Sequence, residues 1–285
     1  MSLPRVVRVE PLMGTIVGVD VRGPAPEGLR AALAAFFGEL RGHERRFSPW
    51  LDHSEISRIS DGRLPVADSS PDVRFVLAAC DHLRAISRGA FDVRGHRPDG
   101  RLDPSGFVKG WAVEEAARHL DDAGLRDYAV NAGGDILVRG DAEPGSGRGW
   151  RVGIRDPDDS DRVVRVLKVR GQAIATSGLY ERGAHIRDPR PRATAGTRPE
   201  LASLTVVGPS LGWADAYATA GFVIGAGALG WVGERAGYGA LSVDAGRRLA
   251  WTSRLDPLVV PVADNGEAER AFSRTSHEPT VSWST

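Results

Sequence analysis

The pattern of apolar and polar positions divides the first half of the chain into two strands and three helices. Apolar residues alternate with polar ones in VVRVEPLMGTIVGVDVRG, which predicts two strands broken at PLMG, residues 11–14. Apolar residues then recur at helical spacing over 26–47, 71–89 and 109–124. Pro71 near the start of the second segment, and a glycine at the end of the second and of the third, are typical helix boundaries.

The second half of the chain is dominated by strands. β-branched and alternating residues predict strands over 127–134, 135–140, 150–156, 162–171 and 202–208. A helix of small residues over 214–225 is followed by a short helix around 229–237 and a strand pair at 240–244 and 248–253. Because helices and strands do not alternate steadily, the pattern predicts an α+β fold with mixed sheets and packed helices. We expect one domain over residues 1–262 and a polar tail over 263–285.

Composition narrows the classes of function. The 37 Lys and Arg residues balance 37 Asp and Glu residues, so the chain lacks the basic field that nucleic acid or an anionic membrane selects. The single cysteine, Cys80, lies in an apolar helical run and is expected to be a core residue. The N-terminal residues carry no apolar export segment and no run of 18 apolar residues occurs, so we expect a cytoplasmic chain without a membrane segment.

The sequence GAGALG at 225–230 matches the glycine pattern of dinucleotide-binding folds, with Asp244 downstream. That pattern has its meaning only between a strand and a helix, and the preceding residues are predicted to be helical. We therefore interpret Gly225 and Gly227 as helix-ending residues, and a nicotinamide dehydrogenase is a distant alternative.

The segment LDPSGFVKGWAVEEAARHL, residues 102–120, is the first candidate site. A loop with Asp103 and Gly106 delivers Lys109 to a predicted helix start, where free N–H groups and the helix dipole attract phosphate. A capped helix with a solvated lysine explains the same residues without any ligand.

Three further segments carry candidate chemistry. NAGGD at 131–135 reads as a hairpin turn with Asn and Asp capping it. Asp215 and Thr219 share one helix face, either as oxygen ligands of a hard cation or with the aspartate stabilising the helix N-terminus. The stretch at 174–190, where a strand is expected to give way to a loop, brings together hydroxyls and one histidine: Thr176, Ser177, Tyr180 and His185.

The order of these motifs resembles the ApbE-type FAD:protein FMN transferases. The matching segments are MGT at 13–15, FSPW with SEI at 47–50 and 54–56, GAFD at 89–92, LDPSGFVKG at 102–110, NAGGD at 131–135, ATSGLYERGAHIRDP at 175–189 and ADAYATA at 214–220. The resemblance covers about residues 10–245. It departs from the family in a shortened insert, RGHRPDGR, and in the missing export signal.

The resemblance implies an ApbE-like, T-fold-related α+β fold around a central cleft for FAD and Mg²⁺. The implied reaction moves FMN from FAD to a threonine or serine hydroxyl of an acceptor protein and releases AMP. An FAD pyrophosphatase and a non-catalytic FAD-binding module are the alternatives.

The resemblance also implies roles for individual residues. Asp215, Thr219 and the backbone carbonyl of Gly106 would hold Mg²⁺. His185 would be the general base, with Asp188 orienting it or taking its place, and Asp215 would complete the catalytic set. The residues implied in FAD binding are Met13, Trp50, Ala90, Phe91, Asp92, Asp103, Lys109, Ile174, Thr176 and Ser177.

Overall fold

The computed structural model describes residues 4–24, 26–95, 97, 99–159, 161–178 and 200–261. Its helices are α1 (Leu29–Phe47), α2 (Glu55–Ser60), α3 (Pro71–Ile86), α4 (Ser105–Asp122), α5 (Leu211–Ile224) and α6 (Ala228–Gly233). Its strands are β1 (Arg5–Leu12), β2 (Thr15–Arg22), β3 (Tyr128–Ala132), β4 (Asp135–Arg139), β5 (Trp150–Arg155), β6 (Val163–Val169), β7 (Ala173–Gly178), β8 (Leu201–Gly208), β9 (Gly239–Asp244) and β10 (Leu249–Trp251).

Eight strands form one antiparallel sheet in the order β1-β2-β3-β4-β7-β8-β9-β10. The other two, β5 and β6, pair with each other. This mixture of one large sheet, a two-stranded sheet and packed helices confirms the predicted α+β fold.

The alternation of side chains along the strands gives the large sheet two apolar faces. On one face, Val17, Val130 and Leu204 join a core with the helices. On the other face, Ala129 and Ile174 join a second core with β5 and β6. Because successive residues of a strand point to opposite faces, a strand residue's position decides which of the two layers it meets.

Glycines and small residues bring α4 and α5 into backbone contact on the helical face. A Cβ added to Gly110 would lie 2.5 Å from the carbonyl oxygen of Leu211, and one added to Gly212 would lie 3.0 Å from the amide nitrogen of Trp111. Larger side chains at these positions would push the helices apart. The two helices therefore meet within the first two turns of each.

Within the described residues, the helical stretch 211–233 is the one that passes a length and hydropathy test for crossing a membrane, with a mean hydropathy of 1.3. Its α5 portion packs on α4, β7 and β8, and Gly225, at a φ of 78°, ends α5 before α6 begins. This packing accounts for its apolar composition.

Several element predictions are confirmed, and four are wrong in detail. The first break lies at Met13–Gly14 only, since Pro11 pairs with Ile16 inside the β1–β2 ladder. The prediction did not include α2, which Ser54 caps by accepting a hydrogen bond from Ser57 N–H.

The other two differences concern candidate sites. α4 begins at Ser105, one turn earlier than predicted, because Gly106 is helical where it was expected to be in a loop. Residues 173–178 are strand β7 rather than the start of a loop. The predicted tail at 263–285 and most of the 174–190 stretch lie outside the described residues.

Candidate active site

A buried ion pair joins the first helical candidate segment to the glycine hairpin. Lys109 Nζ on α4 lies 2.6 Å from Asp135 Oδ2, and the aspartate side chain is 1% exposed. Asp135 follows the tight turn made by Gly133 and Gly134, whose φ values of 62° and 98° require glycine. The turn therefore starts β4 at the point where Asp135 faces α4.

Asp215 and Thr219 lie next to this ion pair. Both side chains are buried on one face of α5, and Asp215 Oδ2 is 3.8 Å from Lys109 Nζ. Thr219 Oγ1 lies 3.3 Å from Ser177 Oγ on β7. Residues from two helices and two strands thus converge on one polar cluster, which consists of Lys109, Asp135, Ser177, Asp215 and Thr219.

Gly106 places the first turn of α4 against the same cluster. A Cβ at this position would lie 3.5 Å from Thr219 Oγ1 and 3.2 Å from the ring of Phe91, which is fully buried. The absence of a side chain therefore leaves room beside Thr219. It also lets Phe91 pack directly on the helix backbone.

The charges of the cluster leave one negative charge in excess, since Lys109 lies between Asp135 and Asp215. Among the described residues, no group of three His, Cys, Asp or Glu side chains forms a metal centre by itself. A cation here would need hydroxyl and carbonyl oxygens in addition to the carboxylate, which is a donor set that hard cations accept.

Two expectations about these helices are wrong. Lys109 does not lie at a helix start, because α4 begins four residues earlier, at Ser105. Asp215 does not stabilise the N-terminus of α5 as a first-turn acid, since that helix begins at Leu211 and has no acidic residue in its first turn.

The strand β7 divides its candidate residues between the two faces of the sheet. Ser177 faces the cluster, whereas Ile174 packs in the core with β5 and β6. The hydroxyl of Thr176 lies 2.9 Å from that of Thr205 on the neighbouring strand, while its N–H donates to Asp135 Oδ1 at 3.4 Å. Thr176 therefore reaches the cluster through its backbone.

The GAFD segment and Asp103 form a second group near the start of α4. Ala90 is fully buried, and Asp92 forms an ion pair with Arg84 at 2.9 Å. Asp103 Oδ1 accepts a hydrogen bond from Ser105 N–H at 3.1 Å, which satisfies a donor at the start of the helix.

Met13 and Trp50 lie in two further loops. Met13 has a φ of 54°, and its N–H donates to Glu44 Oε1 at 2.8 Å. Trp50 is 78% exposed, and the guanidinium carbon of Arg97 lies 4.3 Å from its ring centroid. His185, Tyr180 and Asp188 lie outside the described residues.

Asp135 has a main role that its interpretation as a capping residue of the hairpin does not include. The structure shows that its carboxylate pairs with Lys109 and accepts from Thr176 instead. The available signals were an aspartate beginning a strand directly after Gly-Gly and the place of NAGGD among the segments that resemble the family.

Comparison with known proteins shows which family this chain matches. The ApbE family model matches residues 13–97 and 93–241. A FAD:protein FMN transferase of Rhodobacter capsulatus is 35% identical over 174 residues, which are 56% of this chain and 32% of the relative. One from Klebsiella pneumoniae is 30% identical over 172 residues, 55% of this chain and 48% of the relative. The chain thus spans a third to a half of the length of these curated relatives.

Solved structures share the fold. The flavin transferase ApbE from Vibrio cholerae superposes with a TM-score of 0.76 at 22% identity, covering 90% of this chain and 100% of that one. The ApbE protein from Thermotoga maritima gives a TM-score of 0.77 at 20% identity, with the same coverage.

Proposed function

The chain belongs to the ApbE family, and from that premise we propose that it transfers FMN from FAD to a threonine or serine hydroxyl of an acceptor protein, with release of AMP. The observation that carries the proposal is the polar cluster of Lys109, Asp135, Ser177, Asp215 and Thr219 beside the first turn of α4. The cluster combines the ammonium group of Lys109 with carboxylates and hydroxyls in the interior of the fold.

The residues of the cluster fit a Mg²⁺ ion. The Asp215 carboxylate, the Thr219 hydroxyl and the Gly106 carbonyl would hold it, and all three offer oxygen, which Mg²⁺ prefers. The room that Gly106 leaves beside Thr219 supports this assignment, since any other residue would place a Cβ there. When bound, Mg²⁺ would neutralise charge on the diphosphate oxygens of FAD.

Lys109 and the start of α4 supply the protein's own positive charge. The Lys109 ammonium would bind a phosphate oxygen of FAD, and Asp135 would fix its position from the opposite side. The positive end of the α4 dipole, at the turn containing Gly106, would favour the same negatively charged oxygens. Positioning and charge neutralisation are the main requirements for displacement at phosphorus.

The acceptor hydroxyl needs a base. We assign that role to His185, whose imidazole would take the proton, with Asp188 orienting the ring. The hydroxyl oxygen bonds to the phosphorus of the FMN half, the bond from that phosphorus to the AMP oxygen breaks, and AMP leaves. His185→Ala should slow transfer by more than about threefold and leave FAD binding intact.

Measuring AMP release with and without an acceptor protein tests the proposal. The reaction contains FAD, Mg²⁺ and an acceptor domain with a candidate threonine, and AMP and FMN are quantified by chromatography. We expect AMP only when the acceptor is present. Equal amounts of AMP and free FMN without acceptor would identify a pyrophosphatase, and bound FAD without AMP would identify a binding module.

A further inference from the structure

The N-terminus of α5 is capped by a residue of another helix. The side chain of Ser210, the residue before α5, accepts no hydrogen bond from the N–H groups of that helix. Its hydroxyl donates to Glu114 Oε2 on α4 at 2.7 Å, and the same oxygen accepts from the N–H of Gly212 at 3.3 Å. Because the first N–H groups of a helix have no partner within it, Glu114 satisfies a donor that α5 leaves open.

The charge of Glu114 adds to this hydrogen bonding. A carboxylate at the N-terminus of a helix interacts favourably with the positive end of the helix dipole. A hydrogen bond to a charged acceptor is also stronger than one between neutral groups. Glu114 therefore ties α5 to α4 more firmly than a neutral capping residue would.

The position of Glu114 relates this contact to the polar cluster. Glu114 lies one helical turn after Gly110, where the backbones of α4 and α5 come into contact, and Lys109 is the residue before Gly110. On α5, Asp215 follows Gly212 by about one turn. The hydrogen bonds of Glu114 to the start of α5 therefore lie within about one helical turn of the 3.8 Å contact between Lys109 and Asp215.

We propose that Glu114 is a positioning residue, whose carboxylate holds the start of α5 against α4 and so fixes Asp215 and Thr219 relative to Lys109 and Gly106. The effect of Glu114 on Mg²⁺ and FAD binding rests on the proposed function. The effect of Glu114 on the stability of the start of α5 does not, because the capping hydrogen bonds exist without any ligand.

Two measurements on the same variants separate these consequences. Hydrogen exchange of the peptide covering residues 211–219, without ligand, reports the cap. The Mg²⁺ concentration that half-maximally tightens FAD binding, followed by flavin fluorescence, reports the positioning. The variants are Glu114→Ala and Glu114→Gln. Glu115→Ala is the matched control, since the neighbouring carboxylate pairs with Arg118 instead.

For Glu114→Ala we expect about tenfold faster exchange in this peptide and about a tenfold higher half-saturating Mg²⁺ concentration, as for loss of a helix cap. Glu114→Gln keeps an acceptor oxygen, so its exchange rate and its half-saturating Mg²⁺ concentration should lie between those of Glu114→Ala and wild type. Both values for Glu115→Ala should equal those of wild type.

If a folded Glu114→Ala variant exchanged hydrogen in this peptide at the wild-type rate, Glu114 would not cap α5, and the proposal would be wrong. Faster exchange with unchanged Mg²⁺ dependence would overturn the positioning role. If the FAD affinity of the wild-type protein did not change with Mg²⁺ concentration, the proposed function and the positioning role would both be refuted. The exchange rates would then still show whether Glu114 caps α5.

Discussion

The ion pair between Lys109 and Asp135 should contribute to stability as a coupled unit. At their 2.6 Å separation, the Coulomb attraction is about 6 kcal/mol at an effective dielectric constant of about 20, before desolvation is subtracted. Removing one partner of a fully buried pair costs about 3–5 kcal/mol. Lys109 is 19% exposed, so we expect Asp135→Asn to lower the free energy of unfolding by about 2–3 kcal/mol.

A double-mutant cycle with Lys109→Met measures the coupling directly. The asparagine introduced by Asp135→Asn would keep an acceptor for the N–H of Thr176, and the methionine would keep most of the lysine stem. The loss of Lys109 from beside Asp215 is common to Lys109→Met and the double variant, so it cancels in the cycle. The double variant leaves neither charge of the Lys109–Asp135 pair without its partner, so its loss should be smaller than the sum of the two single losses by about 1–2 kcal/mol. Chemical denaturation gives these values, and Asp135→Asn should lower Tm by about 5–10 °C.

Additive losses in the cycle would refute the reasoning, as would a loss below about 0.5 kcal/mol for Asp135→Asn. Either result would mean that the two charges are held apart or solvated in solution. The assignment of Asp135 as the residue that fixes Lys109 would then fail.

Two further predictions concern the helices. Burial beside Trp111 lowers the pKa of His43 below 6.5, so the unfolded chain takes up a proton first, and the free energy of unfolding should fall as pH drops below about 6.5. Denaturation at a series of pH values should show this slope, and an unchanged slope in His43→Phe would contradict it. Gly110→Ala places a Cβ against the Leu211 carbonyl and should cost about 1–3 kcal/mol in thermal unfolding. A Cβ added to Gly42 in α1 would meet no group beyond its own helix backbone within 4 Å, so Gly42→Ala should instead raise the free energy of unfolding by about 0.5–1 kcal/mol. Equal shifts in the two variants would contradict the close contact at Gly110.

The elements that depend on local pattern could be predicted from the sequence. The hairpin at Gly133–Gly134 has the two positive φ angles that Gly-Gly indicates, and Asn131 Oδ1 accepts from Gly134 N–H as expected. α3 begins at Pro71 as its boundary residues indicate. These features are set by neighbouring residues, which the sequence displays directly.

The features that depend on distant residues could not be predicted. α4 begins early because Gly106 packs against Phe91 and Thr219, so tertiary contact outweighs glycine's low helix propensity. β7 exists because Thr176 and Thr205 pair across strands, although the hydroxyl-rich sequence resembles a loop. The partnership of Asp135 with Lys109 likewise depends on how α4 crosses β4, which no local pattern shows.

Transfer of FMN to another protein depends, in our proposal, on Asp215 and the residues around it. The most direct test is the intact mass of an acceptor domain after incubation with FAD, Mg²⁺ and the protein. Asp215→Ala is compared with wild type, and Asp122→Ala, an exposed acid at the end of α4, is the control. We predict a mass gain of one FMN residue with wild type and with Asp122→Ala, and none with Asp215→Ala. An acceptor labelled equally by Asp215→Ala, or left unlabelled by wild type, would contradict the proposal.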